Sequence, residues 1–356
     1  MYETRIKITA ELLNETQAAI ITDDTNRFYL TGMRSSAGIV VITKQQAYLL
    51  IDFRYYEKAV SVAQGVKVIL LEKTFEQLKD VFSAQNIKTV LLEEENTTLS
   101  DFNRYRQNLS EYEVLASTEL SKTIKNQRSV KSKIEIDYIR QAQNITDKSF
   151  EYILGKIKTG ISERELMLDL EFYSRRFGSE GVAFDFIVVS GKNTSLPHGV
   201  PTEKLIEKGD FVTMDFGAVV NGYRSDMTRT VAVGVVSEEQ LKVYNTVLKA
   251  QTTALEQIKP KIKCCDIDKT ARDIINNVGY EGCFGHGLGH SVGLEIHESP
   301  SFNTRDQSLL KEGMVITVEP GIYLENKFGV RIEDMVAVTK NGCDNLTKSS
   351  KELIVL

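Results

Sequence analysis

Two strand-like runs meet at Asn221-Gly222, and that dipeptide constrains the fold more than any other feature of the chain. Residues 211–220 (FVTMDFGAVV) and 223–235 (YRSDMTRTVAVGV) are rich in β-branched and aromatic residues. An Asn-Gly pair between such runs is a strong short-range signal for a two-residue hairpin with a type I′ turn. That turn fixes the register, setting Asp215 opposite Thr228 and Asp226 opposite Gly217. Residues 215 and 217 share a face, so both aspartates project to one side as diagonal neighbours, roughly 7–8 Å apart. Two carboxylates held together in a strand core repel each other and lose hydration, so they need a proton or a cation. The alternative is that one aspartate caps a turn or pairs with Arg224 or Arg229. The hairpin alone does not choose between these.

The rare residues gather in the same half of the chain. The four histidines are His198, His286, His290 and His297, each in a segment rich in Gly or Pro. Pro197 and Pro201 bracket His198, Pro300 follows His297, and Pro320 follows Glu319. Stiff loops carrying histidines suit a site better than a core. Glu319 ends an apolar strand-like run, and Glu333 lies inside another, on the same face as Arg331 by alternation. Segment 285–297 (GHGLGHSVGLEIH) has Val292 where a dinucleotide-binding loop would place its third glycine, which excludes that reading. Four carboxylates with one or more histidines make a hard, oxygen-rich ligand set, suited to Mn²⁺, Co²⁺ or Fe²⁺ and less specifically to Zn²⁺. Four negative charges balance two divalent ions, and two metals bridged by a water supply a hydroxide near neutral pH.

A chain of 356 residues fits two domains. Apolar runs at 18–21, 37–43, 47–52, 66–71 and 89–92 flank a helical stretch over 75–82. They predict a small α/β domain ending near Thr118, with a hairpin at Lys44-Gln45-Gln46. The basic run from Lys122 to Lys133 reads as a solvated linker, and the domain boundary is placed near residue 127, giving domains 1–127 and 128–356. Apolar positions from Ile134 to Ile157 predict one long helix or two abutting ones. Ser162-Glu163-Arg164-Glu165 reads as a capping box for a helix ending near Gly178. Beyond it the chain reads as strand-rich, at 183–190, 211–220, 225–235, 314–318 and 330–338.

A net charge of −5 argues against a nucleic-acid groove or an anionic membrane as partner. The N-terminal residues contain no apolar core of a signal peptide, and no run is long enough for a membrane span. Cys264, Cys265, Cys283 and Cys343 include no CxxC and read as reduced thiols. A cytoplasmic setting is the expectation.

The motifs LPHGVP (196–201), MDFGA (214–218), SDMTRT (225–230), GHGLGHSVGLEIHESP (285–300), TVEPGIY (317–323) and VRIED (330–334) closely resemble the pita-bread metallopeptidases. The resemblance is to their aminopeptidase P, prolidase and creatinase branch, and it covers essentially 128–356. NRFYLTG (26–32) and IDFRYYEKA (51–59) also look like that branch's N-terminal domain. The resemblance implies an α+β chain, with a creatinase-like α/β domain followed by a pita-bread catalytic domain. It implies five metal ligands: Asp215 on one metal, Asp226 and Glu333 bridging, His290 and Glu319 completing the second. His290 is preferred to His286 because the family's ligand lies seven residues before the histidine matched by His297. Creatinase has lost the carboxylates that this chain keeps. By the same resemblance, Glu319 shuttles a proton and His198 and His297 bind the substrate and the tetrahedral intermediate. His286, Arg331 and Tyr323 shape the substrate side, with support of the ligands an equal reading for His286. The implied activity is that of an Xaa-Pro aminopeptidase acting on peptides with proline second. The alternatives are an Xaa-Pro dipeptidase (prolidase) and a metal-free binding module, though such modules lose ligands and none is lost here. Two divalent ions, Mn²⁺ foremost, and a homodimer complete what the resemblance implies.

Overall fold

The apolar runs of the first third become strands because their burial is nearly continuous. In the computed structural model, which describes all 356 residues, every residue of Ile39–Thr43 and Ala47–Ile51 is buried. The chain divides into two compact units, Met1–Arg128 and Ser129–Leu356. In the first unit the strands are β1 (Gln17–Ile21), β2 (Ile39–Thr43), β3 (Ala47–Ile51), β4 (Lys67–Leu70), β5 (Thr89–Glu93) and β6 (Glu113–Ser117). They form one mixed sheet in the order β4-β3-β2-β1-β5-β6, with β2 and β3 joined as the expected hairpin. Helices α1 (Tyr2–Glu11), α2 (Asp24–Thr31), α3 (Phe53–Val62), α4 (Thr74–Ala84), α5 (Leu99–Asn108) and α6 (Thr118–Ser129) interleave with the strands.

Helix α6 corrects the linker expected over residues 122–133. Leu120 and Ile124, one helical turn apart among the lysines, are both buried, and Lys125 pairs with Glu95. That spacing is a helical stripe hidden in a basic run. Only Val130 and Lys131 intervene before Ser132 caps the next helix, α7 (Lys133–Leu154), with its side chain on the Glu135 amide and Glu135 reaching back.

The second unit is built from strands whose alternation sorts apolar from polar side chains. Helices α7 and α8 (Glu163–Arg176) come first, α8 opening with the expected Ser162–Glu165 capping box. Then follow β7 (Ile187–Ser190), β8 (Phe211–Phe216), β9 (Val219–Val220), β10 (Tyr223–Arg224) and β11 (Met227–Ala232). Two helices that the sequence reading missed, α9 (Glu238–Gln257) and α10 (Cys264–Asn277), precede β12 (Gly289–Ser291), β13 (Glu298–Phe302), β14 (Val315–Val318) and β15 (Gly321–Leu324). Strands β16 (Phe328–Arg331), β17 (Asp334–Val338) and β18 (Cys343–Asn345) end the fold. One sheet runs β11-β8-β7, another β13-β12-β14-β17-β18.

Val212, Met214 and Phe216 of β8 join Leu166 and Leu170 of α8 in one core, so Phe211, Thr213 and Asp215 face the other way. Ile316 and Val318 of β14 join Val243 and Val247 of α9 and Ile267 of α10 in a second core, which leaves Thr317 and Glu319 on the opposite side. Val330 and Ile332 belong to that core too, so Arg331 and Glu333 point away from it. Each sheet therefore turns its apolar face to its helices and its polar face inward.

The expected single strand over 330–338 is two strands. β16 pairs with β15 and β17 with β14, and the chain changes partner at Ile332-Glu333, where the Glu333 amide donates to the Thr228 carbonyl (3.1 Å). The switch delivers Glu333 to the β8–β11 hairpin. That hairpin has the register set by its turn: Asp215 pairs with Thr228 and Val220 with Tyr223. Both turn residues have positive φ, Asn221 at 48° and Gly222 at 81°, as a type I′ turn requires. A Gly222→Ala substitution should therefore cost about 1–2 kcal/mol, read as a lower urea midpoint with unchanged slope. An unchanged midpoint would show that the turn does not set the register.

Candidate metal centre and active site

Inward-facing positions from both sheets bring the carboxylates to one wall. Ligand atoms of Asp226, His290 and Glu333 all lie within 4.8 Å of one another. Asp226 is 4% exposed and Glu333 1%. His290 Nε2 is 3.3 Å from Glu319 Oε1 and 3.6 Å from Asp226 Oδ2. On the other side of its ring, Nδ1 faces the Ser291 carbonyl at 3.2 Å and so carries the proton there. Nε2 is thus the nitrogen turned towards the carboxylates, as in a metal-binding histidine whose second nitrogen is fixed by a carbonyl. Gly289 makes this approach possible, since a Cβ there would stand 2.0 Å from the Thr317 carbonyl oxygen.

Arg331 ties the fourth carboxylate in. Its Nη2 donates to Asp215 Oδ2 (2.7 Å), Nη1 to the Tyr323 hydroxyl (2.8 Å) and the Pro197 carbonyl (3.2 Å), and Nε to Thr228 Oγ1 (3.0 Å). The Thr228 hydroxyl donates to Glu333 Oε2 (2.8 Å). Asp215 Oδ1 and Glu333 Oε1 remain buried without a hydrogen-bond partner. Unpartnered carboxylate oxygens beside an imidazole nitrogen that can give up its proton are what a divalent cation would satisfy, so the residues fit such an ion.

The electrostatics agree. Burial, then the Asp215 charge, push the Asp226 carboxyl well above the usual carboxylate range, and burial, then Asp226, do the same to Glu333. Burial also raises Asp215, with Arg331 offsetting only part of it. Glu319 is the exception: burial raises it, but the hydrogen bond and charge of His290 outweigh this and hold it at about 2. Burial opposes the charged form of His290, yet Glu319 and Asp226 lift it to about 9. Without a cation, protons do the neutralising.

All five expected ligands and all four histidines line one cavity of about 890 Å³, together with Arg331. His198 is exposed within it, and the His297 ring meets that of His290 edge-on, centroids 4.4 Å apart. Burial, then the nearby His290, lower the pKa of His297. Tyr323 is not in the cavity wall, and its hydroxyl sits between Arg331 Nη1 and His286 Nε2 (2.9 Å). Four of Arg331's five N–H groups are used on the protein itself. His286 Nδ1 donates to the Gly287 carbonyl (2.8 Å), so its Nε2 accepts from Tyr323 and the ring is neutral, as its burial-lowered pKa requires.

The sequence reading missed Thr228 and Thr317. Thr317 Oγ1 accepts from the His290 amide (3.0 Å) and donates to Glu319 Oε1 (3.1 Å). Each sits two residues from a named carboxylate, on the same strand face, and that parity was the available signal. Asp268 and Arg272 of α10 were also missed: Asp268 accepts from the Leu288 amide, and Arg272 donates to the Phe284 and His286 carbonyls, fixing the loop before β12. No signal in the sequence ties them to that loop.

Sheets with helices on their outer faces and a buried carboxylate–histidine cluster between them define a metal-dependent hydrolase. Residues 137–340 match metallopeptidase family M24, and residues 9–130 match the creatinase/prolidase N-terminal domain. The chain belongs to metallopeptidase family M24, in its aminopeptidase P and prolidase branch, with the pita-bread fold. It is 38% identical to an Xaa-Pro dipeptidase of Pyrococcus horikoshii, over 96% of this chain and 95% of that one. The solved Xaa-Pro dipeptidase from Bacillus anthracis superposes with a TM-score of 0.96 at 38% identity, covering 100% of each chain. The X-Pro aminopeptidase from Thermotoga maritima superposes with a TM-score of 0.91 at 36% identity, over 98% of this chain and 99% of that one. No helix is long and apolar enough to cross a membrane.

His290 holds its proton up to about pH 9, and burial favours the protonated forms of Asp226 and Glu333, so a cation entering the cluster displaces protons. Apparent affinity for Mn²⁺ should therefore climb as pH rises towards about 9, the value for His290. Calorimetric titration of chelator-treated protein in buffers of different ionisation enthalpy should show net proton release. Binding that is independent of pH and releases no proton would contradict this electrostatic reading.

Proposed function

We infer that the protein is an Xaa-Pro dipeptidase that hydrolyses the peptide bond preceding proline. The observation carrying the reading is the Asp226, His290 and Glu333 cluster, set in a cavity that also presents His198, His297 and Glu319. The relatives from Pyrococcus and Bacillus anthracis, matched over nearly their full lengths, favour a dipeptidase. The aminopeptidase expected from the motifs gives way to it as the leading reading. It stays as a second reading because the cavity is near the upper end of small-ligand sites, roughly 300–1,000 Å³, and because the Thermotoga maritima enzyme is an X-Pro aminopeptidase.

In this reading Asp215, Asp226, His290, Glu319 and Glu333 would hold two divalent ions, Mn²⁺ foremost. Such ions would lower the pKa of a bound water towards neutral and polarise the scissile carbonyl. Glu319, the carboxylate already ionised without a cation, accepts the proton of the attacking water and passes it to the proline nitrogen as the C–N bond breaks. His198 and His297 donate N–H groups to the substrate and to the oxyanion that develops on its carbonyl oxygen. Arg331 orients Asp215, and Tyr323 holds Arg331 and His286 in place. A homodimer in the cytoplasm is the setting this reading assumes.

Protein supplied with Mn²⁺ should release proline from Gly-Pro faster than it cleaves a longer Xaa-Pro-Xaa peptide under the same conditions. Asp226→Ala or Glu333→Ala should reduce cleavage to the background of the assay. Faster cleavage of the longer peptide would move the assignment to aminopeptidase, and no cleavage of either would end it.

A further inference from the structure

The capping box that opens α8 contains a residue the cap does not use. Glu163 lies between Ser162 and Glu165, which cap each other, yet its side chain turns inward and is fully buried. Its Oε1 accepts from the Ser190 amide (2.6 Å), the Ser190 hydroxyl (3.0 Å) and Asn193 Nδ2 (3.0 Å). Its Oε2 accepts from the Thr202 amide (3.0 Å) and the Thr202 hydroxyl (2.7 Å). The nearby ammonium of Lys204 is paired with Asp210 (2.6 Å), so neutral donors meet the Glu163 charge.

Ser190 and Thr202 are the two ends of the segment that carries His198. The first turn of α8 grips the far end a second time, because the Glu163 amide donates to the Lys204 carbonyl and the Arg164 amide to the Thr202 carbonyl. In the middle, Pro197 and His198 line the cavity beyond a short 3-10 turn at Gly191–Ser195, where β16 touches the loop through the Arg331 bond to the Pro197 carbonyl (3.2 Å) and the Gly329 amide bond to Thr194 Oγ1 (2.8 Å). One carboxylate thus closes the base of a loop whose tip reaches the active site.

We propose that Glu163 is a positioning residue that sets His198 against the substrate by fastening both ends of the 190–202 loop. This rests on the substrate-contacting role given to His198 above. A carboxylate is required because every group facing it is a donor. The amide of Glu163→Gln has to turn its own N–H₂ towards either the Ser190 or the Thr202 amide, which breaks one end of the clamp.

The test uses Mn²⁺-loaded protein, with Gly-Pro as substrate, in a double-mutant cycle of Glu163→Gln and His198→Ala. Glu163→Gln should keep the metal content and lower kcat by about 10- to 100-fold with KM little changed. In the His198→Ala background it should cost nothing further. Amides of residues 191–196 and 198–200 should exchange hydrogen faster in Glu163→Gln while those of β8 stay as in the parent. Full activity in Glu163→Gln, independent multiplication of the two effects, or unchanged exchange in the loop would overturn the proposal. If Glu163→Gln does not fold, Thr202→Val, which removes one donor, carries the same comparisons. A parent inactive on Xaa-Pro peptides would sink the dipeptidase reading instead, and the exchange measurement would still decide whether the clamp exists.

Discussion

Charge repulsion among buried carboxylates governs this half of the molecule. Asp215, Asp226, Glu319 and Glu333 share one cavity wall, and their surroundings raise the pKa of every one but Glu319. Removing an ion from water costs several kcal/mol even after relaxation, so a fold that gathers four of them must gain something in return. Arg331 neutralises one oxygen of Asp215 and Thr228 satisfies one of Glu333. Asp215 Oδ1 and Glu333 Oε1 stay without a hydrogen-bond partner, and the ligand atoms of Asp226, His290 and Glu333 lie within 4.8 Å of one another, a spacing that suits a cation. The arrangement is unfavourable empty and favourable filled, as expected of a metal site rather than a structural ion-pair network.

Strand alternation is what makes the gathering possible. β8 and β14 each bury an apolar row against their own helices, so the alternate row, Asp215 in one and Thr317 with Glu319 in the other, has to face inward. Two threonines on those inner faces then do the orienting, Thr228 on Glu333 and Arg331, Thr317 on His290 and Glu319. The helices contribute by holding loops, through Asp268 and Arg272 on one side and Glu163 on the other. Rigid elements thus carry the ligands, and clamped loops carry His198 and His286.

Local chemistry was legible in the sequence wherever one short-range rule settled the structure. The Asn221-Gly222 turn determined a register over both halves of its hairpin, and the Ser162 cap began α8 where expected. The reading failed where tertiary packing decides. Residues 330–338 look like one strand by alternation, but the chain changes sheets at Ile332-Glu333 because the Thr228 carbonyl captures the Glu333 amide. The lysine-rich run hid a helix because only Leu120 and Ile124 announce it. Helices α9 and α10 were overlooked although Ser237 and Gln240 form a capping box like that at Ser162. That Tyr323 and Arg331 bond to each other, and to His286 and Asp215, is likewise set by packing that strand alternation does not reveal.

The most direct measurement is anomalous diffraction at the manganese edge from crystals grown with Mn²⁺. The expected result is manganese density for two ions among Asp215, Asp226, His290, Glu319 and Glu333. A cluster that stays empty at saturating Mn²⁺, its carboxylates hydrogen-bonded to one another through shared protons, would contradict it.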